Sequence, residues 1–388
     1  PTAIFLSLTP LIGVTATLIW ILTGNFHIQT LIFGFVLMVV AGMSITGGYH
    51  RLFSHRTYDA SPFVRALYVV FGSAAFEGSV IEWSLDHRVH HQQIDKDADP
   101  YSVKDGFWHA HILWMFTERT RNLDPKAAGD LWSDPLLRWQ HKHFIVFASF
   151  MSFVFPMLVA GILWGDWIGG LFVAGCMRLV LNHHATFAIN SVCHVFGKQT
   201  YSDRHSARDN WFTSLYTYGE GYHNYHHEFA LDYRNGIRWY DFDPTKWMIF
   251  GLSTVKLASG LKQVSPEEIM RRKAAMQERL LAEKLKGQPE FVVAAGNQML
   301  VAAKSQLTHA SEQLSKLRQQ YAALKREKTA QYLAYKHERQ SHLEDRYNAV
   351  QIQLKEMQVQ MRAAQRDFKR SVALWQSTNR GLTKLVGA

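Results

Sequence analysis

The first 190 residues carry long apolar runs separated by short polar links, whereas the last hundred repeat apolar positions every three and four residues on a charged background. Four apolar stretches, near 4–23, 29–48, 144–163 and 167–190, are long enough as helices to cross a bilayer core of about 30 Å. The link Gly24 to Ile28 joins the first two, and Gly165 with Asp166 joins the second two, so each pair predicts a helical hairpin. An even number of crossings places 49–143 and everything after 190 on one side of the membrane. Arg51, Arg56, Arg65, Arg88, Arg119, Arg121, Lys126, Arg138 and Lys142 crowd the first of these segments. That excess marks the side as cytoplasmic, together with both termini. A fifth apolar stretch, 63–81, is interrupted by Arg65, Gly72, Glu77 and Gly78 and predicts an interfacial or re-entrant helix, because charge is costly at mid-bilayer.

In the tail, Leu343, Tyr347, Val350, Leu354, Met357, Met361, Ala364 and Phe368 alternate by four and three, the a/d seam of a coiled coil. Leu307, Ala310, Leu314, Leu317, Tyr321 and Leu324 repeat the spacing in a register shifted by one residue. The organisation expected is a membrane body over 1–262, a linker over 263–290 and a helical tail over 291–388. The seam suggests that the tail assembles a homo-oligomer or recruits a partner protein; a single amphipathic helix docked on the body or on lipid is the alternative.

Composition sharpens this outline. The mildly negative mean hydropathy averages two unlike halves. The net charge of +10 fits a protein lying against anionic membrane lipid, and no nucleic-acid-binding motif accompanies it, so no nucleic-acid partner is expected. Cys176 and Cys193 are the two cysteines and form no CxxC pair, which argues against a disulfide framework or a thiolate metal site.

The chemistry is carried by histidine, of which the chain has 20. His50 and His55 occur in HRLFSH, His87, His90 and His91 in HRVHH, and His223, His226 and His227 in HNYHH. The i, i+3, i+4 spacing of the last two boxes puts three imidazoles on one helix face. His50 and His55, five apart, fall about 140° apart on an α-helix, so either the helix unwinds there or the two serve different metals. Eight histidines in three boxes exceed the four ligands of a closed structural site and point to two metals with open positions, although imidazole alone does not choose among zinc, copper, iron and nickel.

The strings GGYHRLFSHRTY, DHRVHH, NSVCHVFG and GEGYHNYHHEF closely resemble the membrane fatty-acid desaturases, in particular the acyl-CoA delta-9 branch, over about 1–262. The resemblance implies an all-α integral-membrane fold. Four transmembrane helices lie under a helical cytosolic cap that holds a histidine-rich di-iron site, with the coiled-coil-like tail helix appended. It implies nine histidines on two irons, adding His194 to the eight above, and Asn190 acting through a water. His183 and His184 lie in the fourth predicted span and are left out of the metal set. His109, His111, His141, His143 and His205 are read as structural, and Glu82, Asp86 and Glu220 as possible partners of the imidazoles.

The reaction so implied is O2-dependent insertion of a cis double bond, at delta-9, into a saturated fatty acyl-CoA. Electrons would come from a separate cytochrome b5 or ferredoxin-type donor with its reductase, since neither an HPGG-type haem box nor a four-cysteine spacing occurs in the sequence. Lys198, Arg204 and Arg208 are candidates for contacting coenzyme A phosphates or lipid headgroups, and Met38 for limiting acyl-chain length. An acyl-lipid desaturase or a fatty-acyl hydroxylase on the same scaffold is the enzymatic alternative, and a zinc-binding membrane scaffold the non-enzymatic one. The unusual tail favours a bacterial inner membrane over the endoplasmic reticulum, with the active site cytoplasmic.

Overall fold

The computed structural model describes residues 2–117, 128–286, 288–338 and 341–387, so Arg119, Arg121 and Lys126 of the predicted basic segment lie outside the described residues. The chain divides into two compact units, Pro1–Gln263 and Val264–Ala388.

Among the described residues of the first unit, three helices are long and apolar enough to cross a bilayer: α1 (Thr2–Leu22), α2 (Ile28–Ser54) and a third over Pro135–Trp164. Their outward faces leave Leu11, Leu22, Ile162 and Leu163 more than 60% exposed, a surface that lipid rather than water accommodates. Between them lie α3 (Pro62–Ser73) and α4 (Val80–Gln93). The sequence sets both starts. Ser61 caps α3 ahead of Pro62, while Ser79 and Glu82 form a reciprocal capping box at α4, so Glu82 serves the helix terminus. The Pro135–Trp164 helix, α5, starts on the Asp134 cap and ends where Gly165 takes up the left-handed conformation (φ 80°). Buried Asp166 then accepts hydrogen bonds from Thr30 Oγ1 at 2.5 Å and Trp20 Nε1 at 3.3 Å, tying the tips of both hairpins together.

The fourth predicted span differs from the other three. Residues 167–195 are helical, with a π-helical turn at Phe172–Met177 leading into α6 (Arg178–Val195), but the segment is not among the helices apolar enough to count as a crossing. It turns Arg178, Asn182 and His183 into the protein. Arg178 donates to the carbonyls of Ala74 at 2.6 Å and Ala174 at 3.2 Å, and His183 Nε2 pairs with Ala75 O at 2.8 Å, so the polar groups are satisfied internally. Past α6, the short helix α7 (His223–Glu228) and α8 (Pro244–Thr254) complete the unit. Ala258–Ser259 pairs antiparallel with Asp59–Ala60, pinning the end of the unit beside the end of α2. Tyr49, Ile81, Leu137 and Ile249 form a dry core under the histidines.

The second unit begins with α9 (Pro266–Leu285), a helix where the sequence suggested a linker over 263–290. Two long helices follow, α10 (Glu290–Glu338) and α11 (Ser341–Gly387), each roughly 70 Å in length. They form a hairpin onto which α9 packs. Leu281, Leu300, Leu307, Leu314, Phe368 and Trp375 make its core. The seam that looked free for self-association is therefore filled by the chain's own helices, with Leu343, Val350, Leu354, Ala364 and Phe368 all buried.

Candidate metal centre

The site is built where α2 changes its winding. Over Ile45–Ser54 the helix is π-helical, and His55 N donates to His50 O at 3.1 Å, an i to i+5 bond. One π turn brings residues five apart onto the same side, so His50 and His55 face each other with ring centroids 4.9 Å apart. The α-helical angle of 140° does not apply. Gly48 is required by this packing, because a Cβ there would lie 2.6 Å from Tyr68 Cβ.

The nine histidines converge as two groups, His50, His55, His87, His91 and His226 in one and His90, His194, His223 and His227 in the other, each with ring nitrogens within 4.8 Å of one another. Each three-histidine box divides itself: α4 gives His87 and His91 to the first group and His90 to the second, while α7 gives His226 to the first and His223 with His227 to the second. The 3.6-residue period thus puts ligands for both groups on one face of each helix.

The donor set fits cations. His226 Nε2 lies 2.9 Å from both His50 Nε2 and His91 Nε2, and His223 Nε2 lies 3.1 Å from both His194 Nε2 and His227 Nε2. A ring nitrogen holds one proton or one lone pair, so it cannot satisfy two such neighbours by hydrogen bonding. Two nitrogens bound at about 2.1 Å with about 90° between them would be about 3 Å apart, close to what is seen. Burial first, and the neighbouring imidazoles second, hold His55, His87, His91, His223, His226 and His227 well below the ordinary histidine range. Neutral rings with free lone pairs result.

The Nδ1 atoms of His50, His90 and His194 meet partners that fix the tautomer. Glu220 Oε2 lies 3.0 Å from His50 Nδ1, and the same carboxylate meets Arg51 at 2.9 Å, itself 1% exposed and paired with Asp243 at 3.0 Å. The pairing with His50 and Arg51 outweighs burial and holds the Glu220 carboxyl below its usual range. Asp99 Oδ1 lies 2.8 Å from His90 Nδ1. Ser206 donates to Asp95 at 2.6 Å and so accepts from His194 Nδ1 at 2.7 Å, leaving His194 Nε2 to point inward as an acceptor. Sequence reasoning considered Glu220 but assigned nothing to Asp99 in DADP and passed over Ser206. Their signal was faint, since each reaches its histidine from a loop.

The family model described as fatty acid desaturase matches residues 27–253. The chain belongs to the fatty acid desaturase family. It is 48% identical over 252 residues to a probable acyl-CoA desaturase of Schizosaccharomyces pombe and 43% over 244 residues to acyl-CoA desaturase 1 of Saccharomyces cerevisiae. These alignments cover 65% and 63% of this chain but 53% and 48% of the relatives, so the chain spans about half their length. It is also 36% identical over 250 residues to bovine stearoyl-CoA desaturase 5, covering 63% of this chain and 75% of that protein. All three alignments fall short of the full chain.

In this desaturase-family chain a cavity of about 800 Å³ runs from the histidines into the apolar interior, a size that suits a small-molecule or lipid-chain ligand. His50, His87, His90 and His223 line one part, with half-buried Asn190 and Asp86, and Phe5, Leu6, Phe76, Phe144 and Phe187 line the rest. Glu77 also lines it, accepting from Thr186 Oγ1 at 2.8 Å, Trp83 Nε1 at 3.1 Å and Asn182 Nδ2 at 3.2 Å. Burial pushes its carboxyl up to about 7 against these hydrogen bonds. The sequence marked Glu77 merely as an interruption.

Other candidates stand apart. Met38 does not line the cavity; it is half-buried, and its carbonyl accepts from Tyr218 OH at 3.3 Å. The cavity reaches Thr2, Phe5 and Leu6 of α1 instead. Lys198, Arg204 and Arg208 are likewise outside it. Lys198 is exposed, Arg204 pairs with Glu228 at 2.6 Å, and the Arg208 backbone N–H bonds Cys193 O at 2.7 Å. His111 and His184 lie 3.0 Å apart, His141 Nδ1 pairs with Ser79 Oγ at 2.8 Å, and His205 packs 5.4 Å from His227 outside both groups.

Proposed function

We propose that the chain is an O2-dependent fatty-acyl desaturase that introduces a cis double bond, at delta-9, into a saturated acyl-CoA. The observation that carries the reading is the pairing of two convergent histidine groups with an apolar cavity that opens directly onto them. Membership in the desaturase family and the acyl-CoA and stearoyl-CoA desaturases among its relatives support the substrate class.

His50, His55, His87, His91 and His226 would hold one iron and His90, His194, His223 and His227 the other, with Asn190 placed on the cavity wall to hold a water. Two irons with O2 as co-substrate would supply the oxidising power that removal of hydrogen from an unactivated methylene requires. The protein's own work is positional. The aromatic walls from Phe5 to Phe187 exclude water and hold a chain extended past the histidines, and fixed placement selects which carbons react. Glu220, Asp99 and Ser206 keep the imidazoles of His50, His90 and His194 turned inward. Electrons reach the site from a cytochrome b5 or ferredoxin-type carrier.

We place 167–195 as a fourth crossing, its polar side chains turned inward onto backbone carbonyls and its neighbours α1 and α2 spanning beside it. Four crossings put the histidine groups and both termini on the side that carries Arg51, Arg56, Arg65 and Arg88, the cytoplasmic one.

Expression in a host lacking its own delta-9 desaturase, with fatty acids profiled by mass spectrometry and donor supplied, tests the reading. New cis monounsaturated chains are expected. Hydroxylated chains, or none from iron-loaded protein, would overturn it.

A further inference from the structure

The net charge of the protein is confined to one unit. Residues 1–263 hold 20 basic and 20 acidic side chains, whereas residues 264–388 hold 22 basic and 12 acidic, which accounts for the whole +10. Within this second unit the charges are sorted further. Glu267 and Glu278 of α9 pair with Arg318 and Lys304 of α10 at 3.1 and 2.6 Å, so part of its acid is engaged between helices.

On α11 the sorting is by face. Counting 100° per residue from Arg362, the cations Lys355, Arg362, Arg366, Lys369, Arg370, Arg380 and Lys384 fall within an arc of about 100°. Leu354, Phe368, Trp375 and Leu382, buried in the hairpin, lie on the opposite side. All seven cations are exposed, and the stripe runs for about 43 Å along the helix. Between Lys355 and Lys384 no Asp or Glu lies within that arc, for Glu356 and Asp367 project to one side of it; Glu344 shares the arc's angle but lies 11 residues before Lys355, towards the helix start. Among the described residues, the acidic neighbour within salt-bridge distance is Asp367, 3.8 Å from Arg370 and itself largely exposed. Exposed Ile352 and Val359 share the edge of the stripe.

We propose that this face of α11 docks on an anionic phospholipid surface. A straight row of cations without acids on its own face is repelled by itself and attracted to a plane of negative charge, and each Lys or Arg adds to that attraction near an anionic leaflet. Ile352 and Val359 supply apolar contacts at headgroup depth. The chain itself brings a bilayer within reach, because the unit carrying the stripe follows directly on one with membrane-crossing helices. An acidic protein would also attract cations, but a linear stripe this long fits a flat, extended surface better than a compact patch. The inference is independent of the reaction assigned to the histidines.

The test uses the full chain in lipid nanodiscs. Cys176 and Cys193 are buried, so Ser377→Cys on the stripe and Gln353→Cys on the far side can each take a single spin label. In discs of phosphatidylcholine mixed with phosphatidylglycerol, access of a water-soluble relaxing agent to position 377 should fall roughly tenfold relative to phosphatidylcholine alone. Position 353 should stay accessible, and high salt should reverse the effect. The combined variant R362E/R366E/K369E should abolish the protection with helix content unchanged by circular dichroism; a Gln version guards against misfolding by charge reversal. Equal access in both disc types, protection indifferent to salt, or protection that appears only when an acidic soluble protein is added would each overturn the proposal.

Discussion

The two units treat charge in opposite ways. Around the histidines, Arg51, Glu220, Asp243 and Asp99 are at most 3% exposed, and each is matched by a partner within about 3 Å. On α11 the cations stand outward with almost no acid beside them. A buried charge is costly unless its partners are in place, so where it persists it fixes geometry. An exposed, one-signed row fixes nothing within its own fold and is meaningful only towards something outside it.

Substitution separates the two regimes. The largest effect is expected in the first unit: His226→Ala removes a nitrogen lying 2.9 Å from two others, and turnover should fall at least roughly a hundredfold. Metal content should fall with it, as elemental analysis would register; full metal retention would break the contrast. Asp99→Asn leaves every ligand in place but weakens the hold on His90, so metal retention or turnover should fall about 10- to 100-fold, measured by chelator challenge.

Leu314→Ala works on the other side of the comparison. Leu314 is 1% exposed in the hairpin core, and truncation should cost that unit about 2–5 kcal/mol with metal content unchanged. Thermal unfolding followed by circular dichroism reads the loss; a parallel loss of metal would show that the units do not act separately.

The smallest effect is expected at Glu77. Its carboxyl is raised to about 7 from an ordinary value of 4.5, so between these values the folded protein binds a proton that the unfolded chain has released. Stability contributed by this group is present below the lower value and falls as pH rises towards 7. Glu77→Gln should flatten that slope in melting temperatures taken across the interval. An unchanged slope would show that the carboxyl is not held neutral by burial.

Much of this was legible in the sequence, and the gaps have physical causes. The HRVHH and HNYHH boxes announce their geometry because α-helical spacing is regular. HRLFSH does not, because its meaning depends on a π-helical winding that only packing against Tyr68 and the other histidines reveals. The fourth apolar stretch looked like its neighbours until Arg178 was seen to reach the Ala74 carbonyl, an acceptor that hydropathy cannot register. The helix at Pro266 was readable and was passed over: Ser265, Pro266, Glu267 and Glu268 form an N-terminal signature of cap, proline and first-turn acids. Heptad spacing revealed the tail's seam but not its partner, because a helix from the same chain and one from another copy satisfy the pattern equally.

The central claim is that nine histidines form two metal sites. Its most direct test is the metal content of the full chain purified from iron-replete cells, measured per polypeptide by elemental analysis beside His226→Ala. The account predicts two irons per chain in the parent protein and a clear loss in the variant. One metal per chain, or zinc in place of iron after mis-metallation has been checked, would contradict it.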